Sequence, residues 1–312
     1  HLETLMETSD EWITERTGIK ERRWVKDQND TSATMGFKAA EKAIADAGMQ
    51  ASDIDFIIFA TLSPDYFFPG CGVQIQEMLG VGTIGALDVR NQCSGFVYGI
   101  SVADQFIKTG MYNNILVIGS ELQSSALDKT TRGRGVSVIF GDGAGAVVMS
   151  PSDDDSEILS THLHSEGKFA EELAVINPST AKWVDQIISE GDEEDISYYP
   201  YMNGSFVFKN AVTRLPEVIG EALKTNGLGV DALDMLIPHQ ANLRISQFVQ
   251  RSLKLSDEQV YSNIQRYGNT TAASIPIALC EAVNEGKIKK GDLVCLAAFG
   301  SGFTWASALI RW

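Results

Sequence analysis

Hydrophobic and polar positions along this chain fall into blocks of two kinds, and the order of the blocks repeats. Residues 35–47 carry apolar side chains at helical spacing and stop at Gly48. After Asp53-Ile-Asp55 comes 56–60, an unbroken apolar run of strand length. Much later, 208–223 is helical by the same test and ends at Asn226-Gly227. Asp231-Ala-Leu-Asp234 and a strand at 235–237 follow it. In each copy the strand leads through a polar turn to a second helix, at 71–79 and again at 242–253. A short strand comes next, at 84–89 and at 260–264. A third helix follows, opened by Cys93 in the first copy and by Thr270-Thr271-Ala272 in the second. Each copy closes with two strands around a glycine cluster, 115–119 with 144–149 and 293–299 with 304–310.

Strands alternating with helices predict an α/β protein with mostly parallel sheets covered by helices. Two copies predict two such halves packed together, here 1–155 and 156–312. The second copy has a strand before its first helix, 157–164, whereas the first opens directly in Thr8-Ser-Asp-Glu-Trp12. An N-terminal strand is therefore expected to be absent. Residues 165–203 break the pattern with an acidic run and an aromatic cluster, Tyr198-Tyr199-Pro200-Tyr201, with Trp183 upstream. A loop this long inside a compact domain is a lid or binding loop, or else disordered. Its acidic part, 190–195, is expected to be exposed and mobile, and its rings to pack at a tunnel or subunit interface.

Composition narrows the function. The chain of 312 residues is 44% hydrophobic and 21% charged, which suits a globular protein with a large core. No apolar run approaches a membrane span, and no signal peptide is visible. A net charge of −16 argues against nucleic acid as a partner. Cys71, Cys93, Cys280 and Cys295 are too few in this length for a disulfide framework, so a reducing cytoplasm is expected.

Candidate chemistry centres on Cys93, which follows a strand and opens a helix whose apolar positions are Phe96, Ile100, Ala103 and Ile107. Free N–H groups and the positive end of the helix dipole stabilise a thiolate there, so a depressed pKa is expected. A buried, inert cysteine is the structural alternative. His239 ends the second-copy strand, where parallel sheets expose their sites. Asn269 occupies nearly the place in the second copy that Cys93 holds in the first. Two halves related by a pseudo-twofold bring these helix starts face to face, so Cys, His and Asn are expected to converge. Taken singly, His239 could be an ordinary loop histidine and Asn269 a helix cap. Gly141-Asp-Gly-Ala-Gly145 leads into a strand and is not a phosphate loop. His162 and His164 share a strand face without a third ligand nearby, and no metal site is expected.

These residues resemble β-ketoacyl-acyl-carrier-protein synthase III, a condensing enzyme of the thiolase superfamily. The matching stretches are Thr8-Ser-Asp-Glu-Trp-Ile-Thr-Glu-Arg-Thr-Gly18, Ala86-Leu-Asp-Val89 with Cys93-Ser-Gly-Phe96, Phe140-Gly-Asp-Gly-Ala-Gly145, Pro238-His-Gln-Ala-Asn-Leu-Arg244, Gly268-Asn-Thr270 and Phe303-Thr-Trp305. They span nearly the whole chain. A Cys-His-Asn set fits the branch holding synthase III and chalcone synthase. The resemblance implies a thiolase-like fold, two pseudo-symmetric βα halves in a layered αβαβα architecture. It also implies a decarboxylative condensation of an acyl-coenzyme A primer with malonyl-acyl carrier protein, without a cofactor, initiating fatty acid synthesis. The alternative is a related condensing or acyl-transfer enzyme of secondary metabolism.

By the same resemblance, Cys93 carries the acyl group, while His239 and Asn269 stabilise the enolate. Backbone N–H groups of Cys93 and Ser301 form the oxyanion hole. Trp12 and Arg16 match residues that hold coenzyme A; counting forward gives Arg132 for a further arginine and counting back gives Arg134. Phe68 matches the residue that caps the acyl pocket from the partner subunit, which implies a homodimer. Lys209, Arg244 and Arg251 are candidates for docking the acidic carrier protein. Three departures from the family pattern stand out: Asn91-Gln92 before the cysteine, where small residues are common; Ser301 inside a glycine triplet, its backbone N–H still available; and a long 165–203 segment where the family shapes the acyl tunnel, which leaves primer choice open.

Overall fold

Burial follows the predicted pattern closely enough to order the whole molecule. The computed structural model describes residues 1–181 and 189–312. Ser9 accepts a hydrogen bond from the Trp12 N–H and starts α1 (Asp10–Thr17). A capping box between Thr31 and Thr34 starts α2 (Ser32–Asp46). The fully buried strand β1 (Phe56–Ala60) leads through a loop to α3 (Cys71–Met78). The Asp88 carboxylate of β2 (Gly85–Val89) accepts from the Cys71 and Gly72 N–H groups at 2.6 and 2.8 Å, which caps α3 in place of a local residue. Next come α4 (Gly95–Lys108), β3 (Ile115–Glu121), the short α5 (Arg134–Ser137) and β4 (Gly143–Met149).

The second half repeats this order. It begins with β5 (Glu157–Ser165), then crosses the long segment, whose described residues hold short 3-10 turns and the two-residue strands β6 (Leu173–Ala174) and β7 (Tyr201–Met202). There follow α6 (Gly204–Thr225), β8 (Met235–Pro238), α7 (Leu243–Leu253), α8 (Ile264–Tyr267) and α9 (Ser274–Asn284). The chain closes with β9 (Leu293–Gly300) and β10 (Thr304–Arg311).

Two sheets result, ordered β2-β1-β3-β4 and β5-β10-β9-β8. In each, the parallel pair, β1 with β3 and β8 with β9, is followed by an antiparallel strand, β4 or β10. Beside β10 lies β5; among the described residues no strand takes that place beside β4. Helices α4 and α9 touch both sheets and form the middle layer. Helices α2 and α3 cover the first sheet and α6 the second, with α7 against α6, giving the five-layered αβαβα architecture that was expected. The largest apolar cluster joins the middle helices to the inner faces of both sheets, including Phe96, Ile100, Ile275 and Leu279.

One expected strand is not there. Residues 260–264 form a single bridge, Val260 to Leu236, and then turn into α8. The Gln240 side chain takes over the pairing, accepting from the Ser262 hydroxyl and the Asn263 N–H. No described helix is long and apolar enough to cross a membrane.

Candidate active site

Cys93 is built into a 3-10 turn, Gln92–Ser94, that runs straight into α4. The turn is tight enough to force Gln92 to a φ of 44°, in the left-handed region that non-glycine residues avoid. Ser94 shares a 2.6 Å hydrogen bond with Thr304, so the turn is fastened to the start of β10. Gly300 faces the cysteine from the end of β9. A Cβ there would lie 2.7 Å from the Cys93 Cβ and 3.0 Å from its sulfur, so only glycine fits.

His239 follows β8 directly, and its N–H donates to the Ala297 carbonyl at 2.8 Å. Its Nδ1 lies 2.6 Å from the Ser274 hydroxyl at the start of α9. The Gln240 N–H also reaches that oxygen, at 3.4 Å. With the Ser274 hydroxyl donating to Nδ1, the hydrogen of the neutral imidazole stands on Nε2. Nε2 is buried and has no partner. Burial lowers the His239 pKa to about 3, so the ring is neutral.

Asn269 comes from Gly268, whose φ of 66° the turn requires. Its backbone bridges Phe140 of the first half: the Asn269 N–H donates to Ile139 at 2.9 Å and the Gly141 N–H donates to Asn269 at 2.9 Å. Its side-chain oxygen accepts from the Thr271 N–H at 2.8 Å, which leaves the amide N–H₂ as the free end. Cys93, His239 and Asn269 all line one cavity of about 100 Å³. Its apolar wall includes Leu173, Met202, Phe208 and Ile245. The arrangement holds a thiol, a neutral imidazole and a free amide end in one narrow space.

The expectation of a depressed thiol pKa is overturned. Burial, with the Glu121 carboxylate adding to it, pushes Cys93 up to about 12, and the N–H groups of Ser301 and Cys93 itself pull it down by less. The resting cysteine is a thiol. Glu121 was not legible as a site residue. It is wholly buried, and its carboxylate accepts from Ser63, Thr61, the Leu62 N–H and the Ala272 N–H. It thereby ties the loop after β1 to the turn beyond Asn269. Burial raises its pKa to about 7.

Family models for 3-oxoacyl-[acyl-carrier-protein] synthase III match residues 87–167, and for its C-terminal part residues 223–312. The chain is 46% identical over 310 residues to the β-ketoacyl-[acyl-carrier-protein] synthase III of Yersinia pseudotuberculosis, covering 99% of this chain and 93% of that protein. The chain belongs to the β-ketoacyl-[acyl-carrier-protein] synthase III family. Its Vibrio vulnificus relative, named synthase III 1, is likewise 46% identical with the same coverage. The solved 3-oxoacyl-[acyl-carrier-protein] synthase III of Aquifex aeolicus superposes with a TM-score of 0.90 at 43% identity, covering 100% of this chain and 94% of that one. The chain is accordingly an acyltransferase, a condensing enzyme that initiates fatty acid synthesis.

The remaining expected site residues lie around this synthase core. Trp12 and Arg16 are one turn apart on α1, and the Arg16 guanidinium sits 4.5 Å from the Trp12 ring. Arg134 stands over the same ring at 4.8 Å. Arg132 instead donates to Asp128 at 2.6 Å and to the Glu194 carbonyl, and lies 5.1 Å from the Tyr199 ring. The structure thus joins Arg134, and not Arg132, to Trp12 and Arg16. The Asn242 side chain, which lines the cavity, donates to the Arg16 carbonyl at 3.1 Å and links the two regions. Phe68 is 81% exposed on the loop after β1, beside exposed Tyr66 and Phe67. Lys209, on α6, and Arg244 and Arg251, on α7, are all exposed.

The long segment differs from expectation in part. Trp183 lies outside the described residues. Leu173 and Met202 form the cavity wall, not the tyrosines. The Tyr198 hydroxyl donates to Asp192 at 2.7 Å, Tyr199 stacks on Arg132, and Tyr201 is half exposed. Each tyrosine has a polar or solvent-facing environment that its hydroxyl can use, whereas the two aliphatic side chains do not. Glu190, Glu194 and Asp195 are exposed as expected.

Proposed function

We propose that Cys93 is the acyl carrier and that His239 and Asn269 act on the malonyl half-reaction. An acyl-coenzyme A primer lies with its nucleotide against Trp12, Arg16 and Arg134 and its thioester at Cys93. The Cys93 sulfur bonds to the acyl carbon, the bond to the coenzyme A sulfur breaks, and the thiol proton leaves with the coenzyme A thiolate. Malonyl-acyl carrier protein then docks beside Lys209, Arg244 and Arg251. Loss of CO2 places an electron pair on the thioester as an enolate, whose oxygen accepts from His239 Nε2–H and the Asn269 amide. The enolate carbon attacks the acyl carbonyl. The resulting oxyanion accepts from the Cys93 and Ser301 N–H groups, and collapse expels the Cys93 thiolate, which takes a proton from solvent.

The observation that carries this reading is the unpartnered His239 Nε2 beside the free end of Asn269, in the cavity that holds Cys93. Neutral donors suit an enolate, because no charged base is needed. The reaction as written uses no cofactor or metal. The exposed Tyr66, Phe67 and Phe68 support a homodimer in which this loop meets a second copy. Four free cysteines support a cytoplasmic site of action. His239→Ala and Asn269→Ala should each stop malonyl decarboxylation while Cys93 still acylates. Intact decarboxylation in both variants removes the two residues from the mechanism.

A further inference from the structure

Resting on the reading just given, we infer that the Ser301 side chain is a primer-specificity determinant, because its hydroxyl ties the oxyanion-donating turn to the ribbon that walls the acyl cavity. Ser301 Oγ donates to the Leu173 carbonyl on β6. Leu173 pairs with Met202 of β7, and both side chains line the cavity that reaches Cys93. The turn that carries this serine faces the nucleophile: a Cβ on its neighbour Gly300 would lie 3.0 Å from the Cys93 sulfur, and the Ser301 N–H favours the thiolate. One residue therefore belongs to the turn at the reacting atom through its backbone and reaches the cavity wall through its side chain.

The neighbouring ties show what the hydroxyl adds. The Glu166 N–H donates to the Phe303 carbonyl at 2.8 Å, and the Phe303 N–H donates back at 3.3 Å. The Phe303 ring packs 5.7 Å from Phe169 and 6.0 Å from Phe206. Those contacts fasten the root of the long segment and persist whatever side chain stands at 301. The Ser301 hydroxyl fastens β6 itself. On the other side, Thr304 Oγ1 donates to the Ser301 carbonyl at 3.2 Å and also bonds to Ser94 beside the nucleophile. A primer too bulky for the cavity can displace Leu173 outward only by stretching the Ser301 bond, which pulls on the donor turn. The hydroxyl thus favours primers that fit the cavity at its present width. A glycine at this position leaves the ribbon free to yield.

The test measures kcat/KM for Cys93 acylation across a series of acyl-coenzyme A chain lengths, using the full chain with Ser301, Ser301→Ala, Ser301→Gly and Ser301→Thr. Alanine and glycine should both shift the long-to-short ratio toward long chains by about two- to ten-fold, the range one neutral hydrogen bond covers. Threonine keeps the hydroxyl and should keep the original ranking. A uniform fall across all lengths confines Ser301 to the donor turn and overturns the inference. So does an unchanged ranking in the alanine and glycine variants, or a threonine variant that shifts as they do. If the unmodified enzyme acylates at Cys93 with none of the primers, it is the underlying functional reading that fails.

Discussion

Ser274→Ala removes the hydroxyl that holds the His239 ring in place, and it should separate the two half-reactions without touching a substrate-facing group. The hydroxyl lies 2.6 Å from Nδ1, while Nε2 already has no partner. Its loss leaves a buried imidazole with neither nitrogen satisfied, at a cost of about 1–3 kcal/mol in stability. It also removes the preference for a hydrogen on Nε2, and a bare Nε2 repels an enolate oxygen. Deleting an oxyanion-hole donor outright costs about 10²- to 10³-fold. Losing the bond that aims one costs less: about 1 kcal/mol corresponds to roughly five-fold in rate. CO2 release from malonyl-acyl carrier protein should therefore fall about five- to ten-fold by that reckoning. Acylation of Cys93, followed by mass spectrometry, should stay within about two-fold, since it uses the thiol and the backbone donors. Equal losses in both assays, or undiminished CO2 release, would refute the role given to Nε2–H.

Three further outcomes follow from the same geometry. Arg134→Ala should raise KM for acyl-coenzyme A by about ten-fold, as losing a stacked, phosphate-binding guanidinium does; a larger effect from Arg132→Ala would reverse the assignment. Iodoacetamide should modify Cys93 slowly at pH 7 and progressively faster as pH rises toward its value of about 12; a rate already on its plateau at pH 7 would mean a resting thiolate. Glu121 has a folded pKa of about 7, above the ordinary 4.5 of a glutamate, so its contribution to stability is present below pH 4.5 and is lost as pH rises through 7. Relative to Glu121→Gln, the parent enzyme should lose about 3 kcal/mol between pH 4.5 and 8 in urea unfolding, to order of magnitude, and a pH-independent difference would count against a buried titrating carboxylate.

Most of the layered fold was legible because each half repeats one order of apolar runs, and β1, β3, β9 and β10 are buried nearly throughout. The strand expected at 260–264 was not, because a side chain, Gln240, replaces the ladder there, and no periodicity reports such a substitution. Cys93, His239 and Asn269 could be picked out because each stands at a matched helix or strand end. Ser274 and Glu121 could not: one is a serine at the head of an apolar helix, the other a carboxylate at the end of an apolar strand, and only the folded contacts show what they hold. The Cys93 pKa was misjudged for a related reason. Helix position can be read from sequence, but burial beside Glu121, a residue 28 positions later, cannot. The choice between Arg132 and Arg134 likewise needed the Trp12 ring in three dimensions.

The central claim is that Cys93 carries the acyl group. Incubating the enzyme with a panel of acyl-coenzyme A thioesters, followed by peptide mass spectrometry, addresses it most directly. The account predicts an acyl adduct on the peptide containing Cys93, absent in Cys93→Ser and accumulating when malonyl-acyl carrier protein is withheld. An adduct mapped instead to Cys71, Cys280 or Cys295, or one that persists in Cys93→Ser, would contradict it.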